Sequence, residues 1–259
     1  MRAVKIKPAL QAICIDEVES RVVTAAKNIH PKIGEQKRAY LGTSNHVLGL
    51  TVPQQRQLLK AGYSFSKLPP SEQLLIWDAV WQQAKHHESK VQALYWLSNI
   101  KNSAMLMDFW PVINKWVKFV DSWDTSDNLS SVFTRILENA KHVVYPTLEK
   151  WNVSKNPWEK RQSIVSLLYF SGFKQVILPH NQILPLIENL IEDPDKFVQK
   201  GVGWSLRECH SVHPLATKSF VRKHATRISA MAFSSAAEKW PPEFLAEIKT
   251  RRKKHRHSD

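Results

Sequence analysis

An acidic side chain and an aromatic one, one helical turn apart, are the first residues in this sequence that could do chemistry. Asp127 follows Trp123 by four residues in a stretch rich in Asp, Ser and Thr. If a helix opens near Asp124 or Thr125, Asp127 falls in its first turn, where the positive helix end stabilises an anion. Side chains four residues apart share a helix face. A fixed carboxylate there would stabilise a developing positive charge, although first-turn acids also act as simple helix caps.

A second aromatic residue lies beside a cation further along the chain. Trp204 is followed by Ser205 and, one turn later, by Arg207. An indole face near basic residues can stack on a base or attract a cation. If the chain is built of helical repeats, Trp123 and Trp204 could instead be buried where two repeats meet. Arg161, a third residue that could contact a ligand, could likewise form an ion pair with an acid inside its own repeat.

Motifs of several other enzyme classes are absent from the sequence. It contains no Gly-rich phosphate loop and no G-x-S-x-G turn. His87-Glu88 begins like a zinc-protease helix, but Val91 occupies the position of the second histidine. Three possible ligands near the C-terminus would not share one helix face, and nothing supplies a fourth: Cys209, His210 and His213. We therefore expect neither a metal site nor a cofactor.

The charge balance is strongly basic. The chain has 37 Lys plus Arg against 23 Asp plus Glu, a net charge of +14 and a pI near 9.8. Such an excess favours a polyanionic partner, either nucleic acid or an anionic membrane surface. Part of it lies at the C-terminus, where residues 250–259 are interpreted as a disordered, solvated basic tail.

Cysteine content and hydropathy indicate the compartment. Two cysteines, Cys14 and Cys209, cannot form a disulfide framework, which fits a reducing environment. No apolar run approaches the roughly 18 residues of a membrane span. We expect a cytoplasmic protein without a membrane partner.

Apolar residues recur at helical spacing, which predicts an all-α protein. Leu74, Trp77, Trp81 and Ala84 mark one face, and a second apolar stripe runs over residues 106–120. Prolines fall between these segments, where they can open helices: Pro53, Pro69–Pro70, Pro157, Pro194 and Pro241–Pro242. The clearest helix start is 156–159, where Asn156 can cap and Glu159 would complete a capping box.

An internal repeat is visible at an offset of 39 residues. Trp158 and Arg161 correspond to Phe197 and Lys200, an aromatic followed by a cation three positions later. A period near 40 residues built from helix pairs is typical of HEAT and armadillo repeats, which stack into a solenoid with one concave face. The sequence predicts a HEAT-like, armadillo-type solenoid with a basic concave face, forming a single domain over residues 1–249.

Four segments carry a family resemblance when they are taken in order. They are Y-L to G-L-T-V-P at 40–53, W-D-T-S-D at 123–127, W-N-V-S-K-N-P-W-E-K-R at 151–161 and Q-K-G-V-G-W-S-L-R-E at 199–208. Together they resemble the AlkD-type HEAT-like repeat alkylpurine DNA glycosylases of the DNA alkylation repair family. The resemblance extends over about residues 16–225.

The resemblance implies a role for each candidate site residue. Asp127 would be the catalytic carboxylate, and Trp123 and Trp204 would line the lesion site. The implied DNA-binding residues are Tyr40, Thr51, Arg161, Lys200 and Arg207. The family often carries Gln at the position of Thr51, so lesion preference or rate would differ here. In this chain Thr51 and Gln54 have the types and spacing of a helix cap and its capping-box partner. Duplex DNA is the implied partner, and the protein would act as a monomer that is associated with the nucleoid when bound to DNA.

The implied chemistry is hydrolysis of the bond between an alkylated purine and its sugar. Purines alkylated at N3 or N7 are cationic and leave as neutral bases, so the difficult species is the cationic sugar. A fixed carboxylate stabilises that charge and can orient water. The lesion would stay at the concave face without entering a deep pocket, unlike in base-flipping enzymes.

Two other functions remain open at the level of sequence. One is a HEAT-like scaffold that binds bent or damaged DNA without breaking a bond. The other is a protein-binding solenoid adaptor, for which the charge of +14 would be incidental. Base release separates the enzyme from the scaffold, and a salt titration of duplex binding separates both from the adaptor.

Overall fold

The protein is all-α, as the sequence predicts. The computed structural model describes residues 6–168 and 176–256, with side chains to residue 253. These residues form fourteen α-helices and three short 3-10 helices. The described ranges contain no strand beyond one isolated bridge between His46 and His86. No helix within them is long and apolar enough to span a bilayer.

The chain divides into two compact units, residues 1–129 and 130–259. Seven helices begin in the first unit: α1 (Pro8–Ala26), α2 (Pro31–Leu41), α3 (Val52–Ala61), α4 (Pro70–Gln83), α5 (His87–Asn99), α6 (Ser103–Ile113) and α7 (Trp123–Asn139). Seven more lie in the second: α8 (Lys141–Asn152), α9 (Pro157–Leu168), α10 (His180–Asn189), α11 (Lys196–Val212), α12 (Pro214–His224), α13 (Ala230–Ala236) and α14 (Pro242–Arg256). The 3-10 helices are Ser64–Lys67, Asn114–Phe119 and Ala237–Lys239. The prediction of a single domain over 1–249 stays a prediction.

The first unit buries both predicted apolar stripes. Trp77, Trp81 and Trp116 are almost completely buried, and the last two stack with ring centroids 5.3 Å apart. The indole N–H groups of the stacked pair are satisfied, because Trp81 Nε1 donates to the Trp116 carbonyl and Trp116 Nε1 donates to Asp78 at 2.7 Å. Burying each indole removes a large apolar surface from water. The backbone of the second stripe changes conformation after Ile113, because α6 ends there and the 3-10 helix Asn114–Phe119 begins.

In the second unit the two repeat copies contact each other. Its long helix α11 packs against α9, α10, α12 and α13. Trp158 and Phe197, the aromatics related by the 39-residue offset, stack on each other with centroids 4.9 Å apart. Each copy of the repeat therefore contributes an aromatic side chain to one contact between α9 and α11.

The predicted helix start at 156–159 is correct in its cap and wrong in its capping box. The Asn156 side chain accepts the Trp158 amide at 2.9 Å. Glu159 does not reach back to the Asn156 amide. The hydroxyl of Ser154 takes that amide at 3.1 Å and donates to Glu159 instead. A hydroxyl is donor and acceptor at once, so it bridges the two groups.

The C-terminal residues differ from the predicted tail, since α14 continues to Arg256. Phe244 and Ile248 bury its inner face, and Arg252 donates to the carbonyls of Ala225 and Ile228. These contacts stabilise a helix where charge density alone indicated disorder.

Candidate functional site

Helix α7 begins at Trp123, slightly earlier than the sequence suggests. Its first-turn acid is Asp124, which accepts the Thr125 amide at 2.8 Å and the Ser122 hydroxyl at 2.7 Å. Asp127 is the fifth residue of the helix and lies beyond the first turn. The expectation that Asp127 occupies the first turn is therefore wrong, and the capping role belongs to Asp124.

Trp123 packs against Tyr40 at the start of α7. Their rings meet edge to face, with centroids 5.4 Å apart and planes at 86°. Trp123 Nε1 donates to the Tyr40 carbonyl at 3.2 Å. Tyr40 is 73% exposed, whereas Trp123 is half-buried. Asp127, also half-buried, lies one turn after Trp123 on the same face of α7. An aromatic pair with one exposed ring therefore lies about one helical turn from a carboxylate within the first unit.

The turn after α2 is held by Asp121, two residues before Trp123. One carboxylate oxygen, Oδ2, accepts the hydroxyls of Thr43 and Ser44 at 2.7 and 2.9 Å, the Ser44 amide at 3.0 Å and the Asn45 side-chain amide at 2.7 Å. Charged hydrogen bonds of this kind are the stronger ones in proteins. Asp121 and the Trp123 indole thus attach residues 40–45 to the N-terminal end of α7.

A prediction follows for Asp121. Asp121→Ala leaves four donors without their acceptor, and several of them can turn to water, so we expect the free energy of unfolding to fall by about 1–2 kcal/mol. The emission of Trp123, obtained as the difference from a Trp123→Phe background, should shift toward that of a more solvent-exposed indole. Asp121→Asn, which keeps one acceptor oxygen, should fall between the two. Unchanged emission in Asp121→Ala would show that the turn is held by other contacts.

The next stretch, residues 48–50, is held by a buried glutamate. Glu88 is 1% exposed and accepts the amides of Leu48, Gly49 and Leu50 at 2.8–3.2 Å. Lys37 donates to the carbonyls of Gly49 and Leu50 at 2.8 Å. The carboxylate of Glu88 thus binds the amides of this segment and the ammonium of Lys37 binds its carbonyls. These contacts fix the backbone directly before the candidate residue Thr51.

Sequence reasoning missed the function of His87-Glu88, which it treated only as a failed zinc motif. His87 Nε2 lies 2.8 Å from the Asp124 carboxylate. Burial lowers the pKa of His87, but the hydrogen bond and charge of Asp124 raise it above its ordinary value. Burial raises the pKa of Asp124, yet the hydrogen bond and charge of His87 bring it below its ordinary value. An ion pair therefore connects α5 to the first turn of α7.

This ion pair predicts a pH dependence of stability. The pKa of His87 is raised on folding, so its contribution is complete below the unfolded value near 6.5 and is lost as pH rises through the folded pKa. The lowered pKa of Asp124 adds stability above about pH 3.9 that is lost in acid. Urea unfolding at pH 6 and pH 9 should show a decline that His87→Gln removes. An equal decline in the variant would assign it to other groups.

Thr51 has the local structure expected of a helix start. Its hydroxyl accepts the Gln54 amide at 3.4 Å, and the Gln54 side chain accepts the Thr51 amide at 2.8 Å. This reciprocal capping box opens α3 and leaves Thr51 exposed. Its role toward DNA stays a prediction.

Arg161 is mostly buried in the second unit, and its DNA-binding role stays a prediction. Its side chain is 4% exposed, and Nη1 donates to the Phe197 carbonyl at 2.9 Å. Gly201 lies against its stem, where a Cβ would be 3.3 Å from Arg161 Cγ. Lys200 is exposed, with Nζ 5.8 Å from the centre of the Phe197 ring. Of the two repeat-related cations, Lys200 is therefore the more accessible one.

Trp204 and Arg207 contact each other, as their spacing on α11 predicts. The Arg207 guanidinium lies 5.9 Å from the Trp204 ring centre, and Trp204 is half-buried. Arg207 also pairs with Glu208 at 3.0 Å and with Glu238. A phosphate would have to compete with these carboxylates for Arg207.

The part of the chain that the structure describes holds no cluster of three or more His, Cys, Asp or Glu side chains suited to a metal ion. Burial raises the pKa of the Cys209 thiol to about 11, which disfavours the thiolate needed for ligation. His213 Nε2 lies 2.7 Å from the Leu178 carbonyl.

Comparison with known proteins identifies the family. The model of the DNA alkylation repair enzyme family matches residues 25–240, so the chain belongs to that family. No curated protein matches the chain at a significant level.

Solved structures share the fold. One, described as a predicted DNA alkylation repair enzyme from Enterococcus faecalis, has a TM-score of 0.65 at 16% identity and covers 82% of this chain and 97% of its own. A second, smu.31 from Streptococcus mutans, has a TM-score of 0.51 at 14% identity, covering 81% and 98%. The helical-repeat class predicted from the 39-residue period is thereby confirmed.

Proposed function

We propose that this DNA alkylation repair enzyme is a glycosylase that excises cationic alkylpurines, such as N3-methyladenine and N7-methylguanine, from duplex DNA. The observation that carries the proposal is the carboxylate of Asp127, one helical turn after Trp123, whose ring packs against the exposed Tyr40, inside the family match. The protein would act in the cytoplasm as a monomer, without a cofactor or a membrane partner.

In the proposed reaction, protein side chains stabilise the positive charges of the lesion and of the sugar. The alkylated base leaves as a neutral species, and the sugar becomes positively charged as the bond breaks. Asp127 stabilises that sugar and orients the water that attacks it. The electron-rich faces of Trp123 and Trp204 favour a cationic lesion over a neutral base. No general acid is required, because the leaving group is already cationic before cleavage.

DNA binding in this proposal comes chiefly from accessible cations and hydroxyls. Tyr40, Thr51 and Lys200 are exposed, and they would contact the backbone or the lesion pair. Arg161 would act mainly by fixing the Phe197 carbonyl, and Arg207 by exchanging an acidic partner for a phosphate. The net charge of +14 supports a basic DNA-binding face.

A base-release assay tests the proposal. Duplexes containing a single N7-methylguanine and the same duplexes without it are incubated with the protein, and free base and abasic sites are quantified. We expect equal amounts of both products from the modified duplex and none from the unmodified one. Binding of the modified duplex without base release would favour the non-catalytic scaffold.

A further inference from the structure

The last helix, α14, lies outside the family match and carries an excess of cations. The match ends at residue 240, and α14 spans Pro242–Arg256. Its sequence P-E-F-L-A-E-I-K-T-R-R-K-K-H-R has six Lys or Arg against two Glu. The cations occupy the second half of the helix, so this end is the basic end.

One face of α14 is fixed to the rest of the second unit. Phe244 and Ile248 are 2% and 0% exposed. Arg252, one turn further, donates to the Ala225 and Ile228 carbonyls and lies 4.7 Å from the Phe233 ring centre. The three residues follow at intervals of four and thus share one face. The direction of the neighbouring flanks is therefore set by packing.

Two lysines project from one of these flanks. Lys249 and Lys253 are exposed, lie one turn apart and have no hydrogen bond or ion pair with any residue that the structure describes. Arg251, on the other flank, shares Glu247 with Arg222. Lys249 and Lys253 are therefore the exposed cations of the described part of α14 that have no acidic partner.

Helix stability does not account for this pair. Like charges four residues apart destabilise a helix slightly. Cations in the last turn of a helix interact favourably with the helix dipole, and this effect explains Lys253. It does not explain Lys249, which lies about two turns before the end of α14 at Arg256. A ligand that neutralises both charges would instead gain from their spacing.

We propose that the flank of α14 defined by Lys249 and Lys253 binds the phosphate backbone of duplex DNA, independently of any lesion. The choice of DNA rests on the family and the proposed function. A membrane-binding helix exposes an apolar face opposite its cations. The apolar residues Phe244 and Ile248 are instead buried in the protein, so they are not available to insert into a bilayer. The contact adds affinity and no sequence preference.

The test is the salt dependence of binding to an unmodified duplex. For the double variant Lys249→Gln/Lys253→Gln we expect the slope of log K against log salt to become shallower by about 1–2, and affinity at 0.1 M salt to fall about tenfold or more. Lys249→Arg/Lys253→Arg should retain both values. Base release under single-turnover conditions with saturating protein should stay as in wild type.

A matched control separates a local contact from a general loss of charge. Lys67→Gln/Lys101→Gln removes two other exposed lysines and should change the slope less. Equal effects of the two double variants would overturn the proposal. So would an unchanged slope, or a loss confined to binding of phosphatidylserine vesicles. If wild type binds the duplex through α14 but releases no base, only the glycosylase proposal fails.

Discussion

Asp127→Asn is expected to slow base release from an N7-methylguanine duplex by about a hundredfold to a thousandfold. The substitution keeps the shape of the side chain and removes the negative charge that would face the cationic sugar. Losing one preorganised electrostatic group at a reacting centre has an effect of this size. Binding should change little, because the charge acts on a species that forms only as the bond breaks.

The measurement is single-turnover base release with saturating protein, accompanied by duplex affinity and thermal unfolding. Asp124→Asn is the matched control, since it makes the same chemical change three residues earlier on α7. It should lower stability through the lost His87 pair and leave the rate within about tenfold of wild type. An Asp127→Asn protein that is folded and as fast as wild type would exclude the mechanism.

The elements that sequence predicts well are those governed by local periodicity and caps. The burial of Trp77, Trp81 and Trp116 follows from apolar side chains recurring at helical spacing. The caps at Thr51 and Asn156 follow from the same local chemistry. The 39-residue repeat also reappears as the Trp158–Phe197 stack. Each of these features depends on residues close in sequence or on a repeated pattern.

Long-range polar contacts could not be predicted in the same way. Glu88 accepts amides 38–40 positions earlier, and Asp121 accepts donors 76–78 positions earlier. Nothing in the spacing of these acids marks their partners, which the fold brings to them. The start of α7 was misplaced for a related reason. Asp124 accepts the first-turn amide of Thr125 together with the Ser122 hydroxyl, so it is the acid that satisfies the start of this helix.

Arg161 shows that a motif residue need not face outward. Its position in W-N-x-S-x-N-x-W-x-x-R suggests a DNA contact, whereas its side chain is buried against Gly201 and the Phe197 carbonyl. A sequence pattern records that a cation is required and leaves open which group it meets. Burial and the hydrogen bond to Phe197 give Arg161 a structural role, and its contact with DNA stays a prediction.

The glycines of Q-K-G-V-G-W lead to the second large prediction, which concerns stability. A Cβ at Gly203 would collide with the backbone of α13, at the carbonyl oxygen and, at 2.9 Å, the Cα of Ala232. A backbone cannot turn aside as a flexible side chain can, so α13 would have to move. Gly203→Ala is expected to lower the free energy of unfolding by about 2–3 kcal/mol, despite a gain of about 1 kcal/mol in helix propensity.

Gly201→Ala is the control, on the same helix and in the same motif. Its Cβ would meet the Arg161 side chain at 3.3–3.4 Å, which is tight but adjustable, so the propensity gain should nearly offset the crowding. Urea unfolding followed by circular dichroism measures both variants, and equal losses would contradict the assignment to backbone contact. Displacing α13 also moves the adjoining Glu238 away from Arg207. Gly203→Ala should therefore raise the exposure of Trp204 to fluorescence quenchers, which Gly201→Ala should leave unchanged.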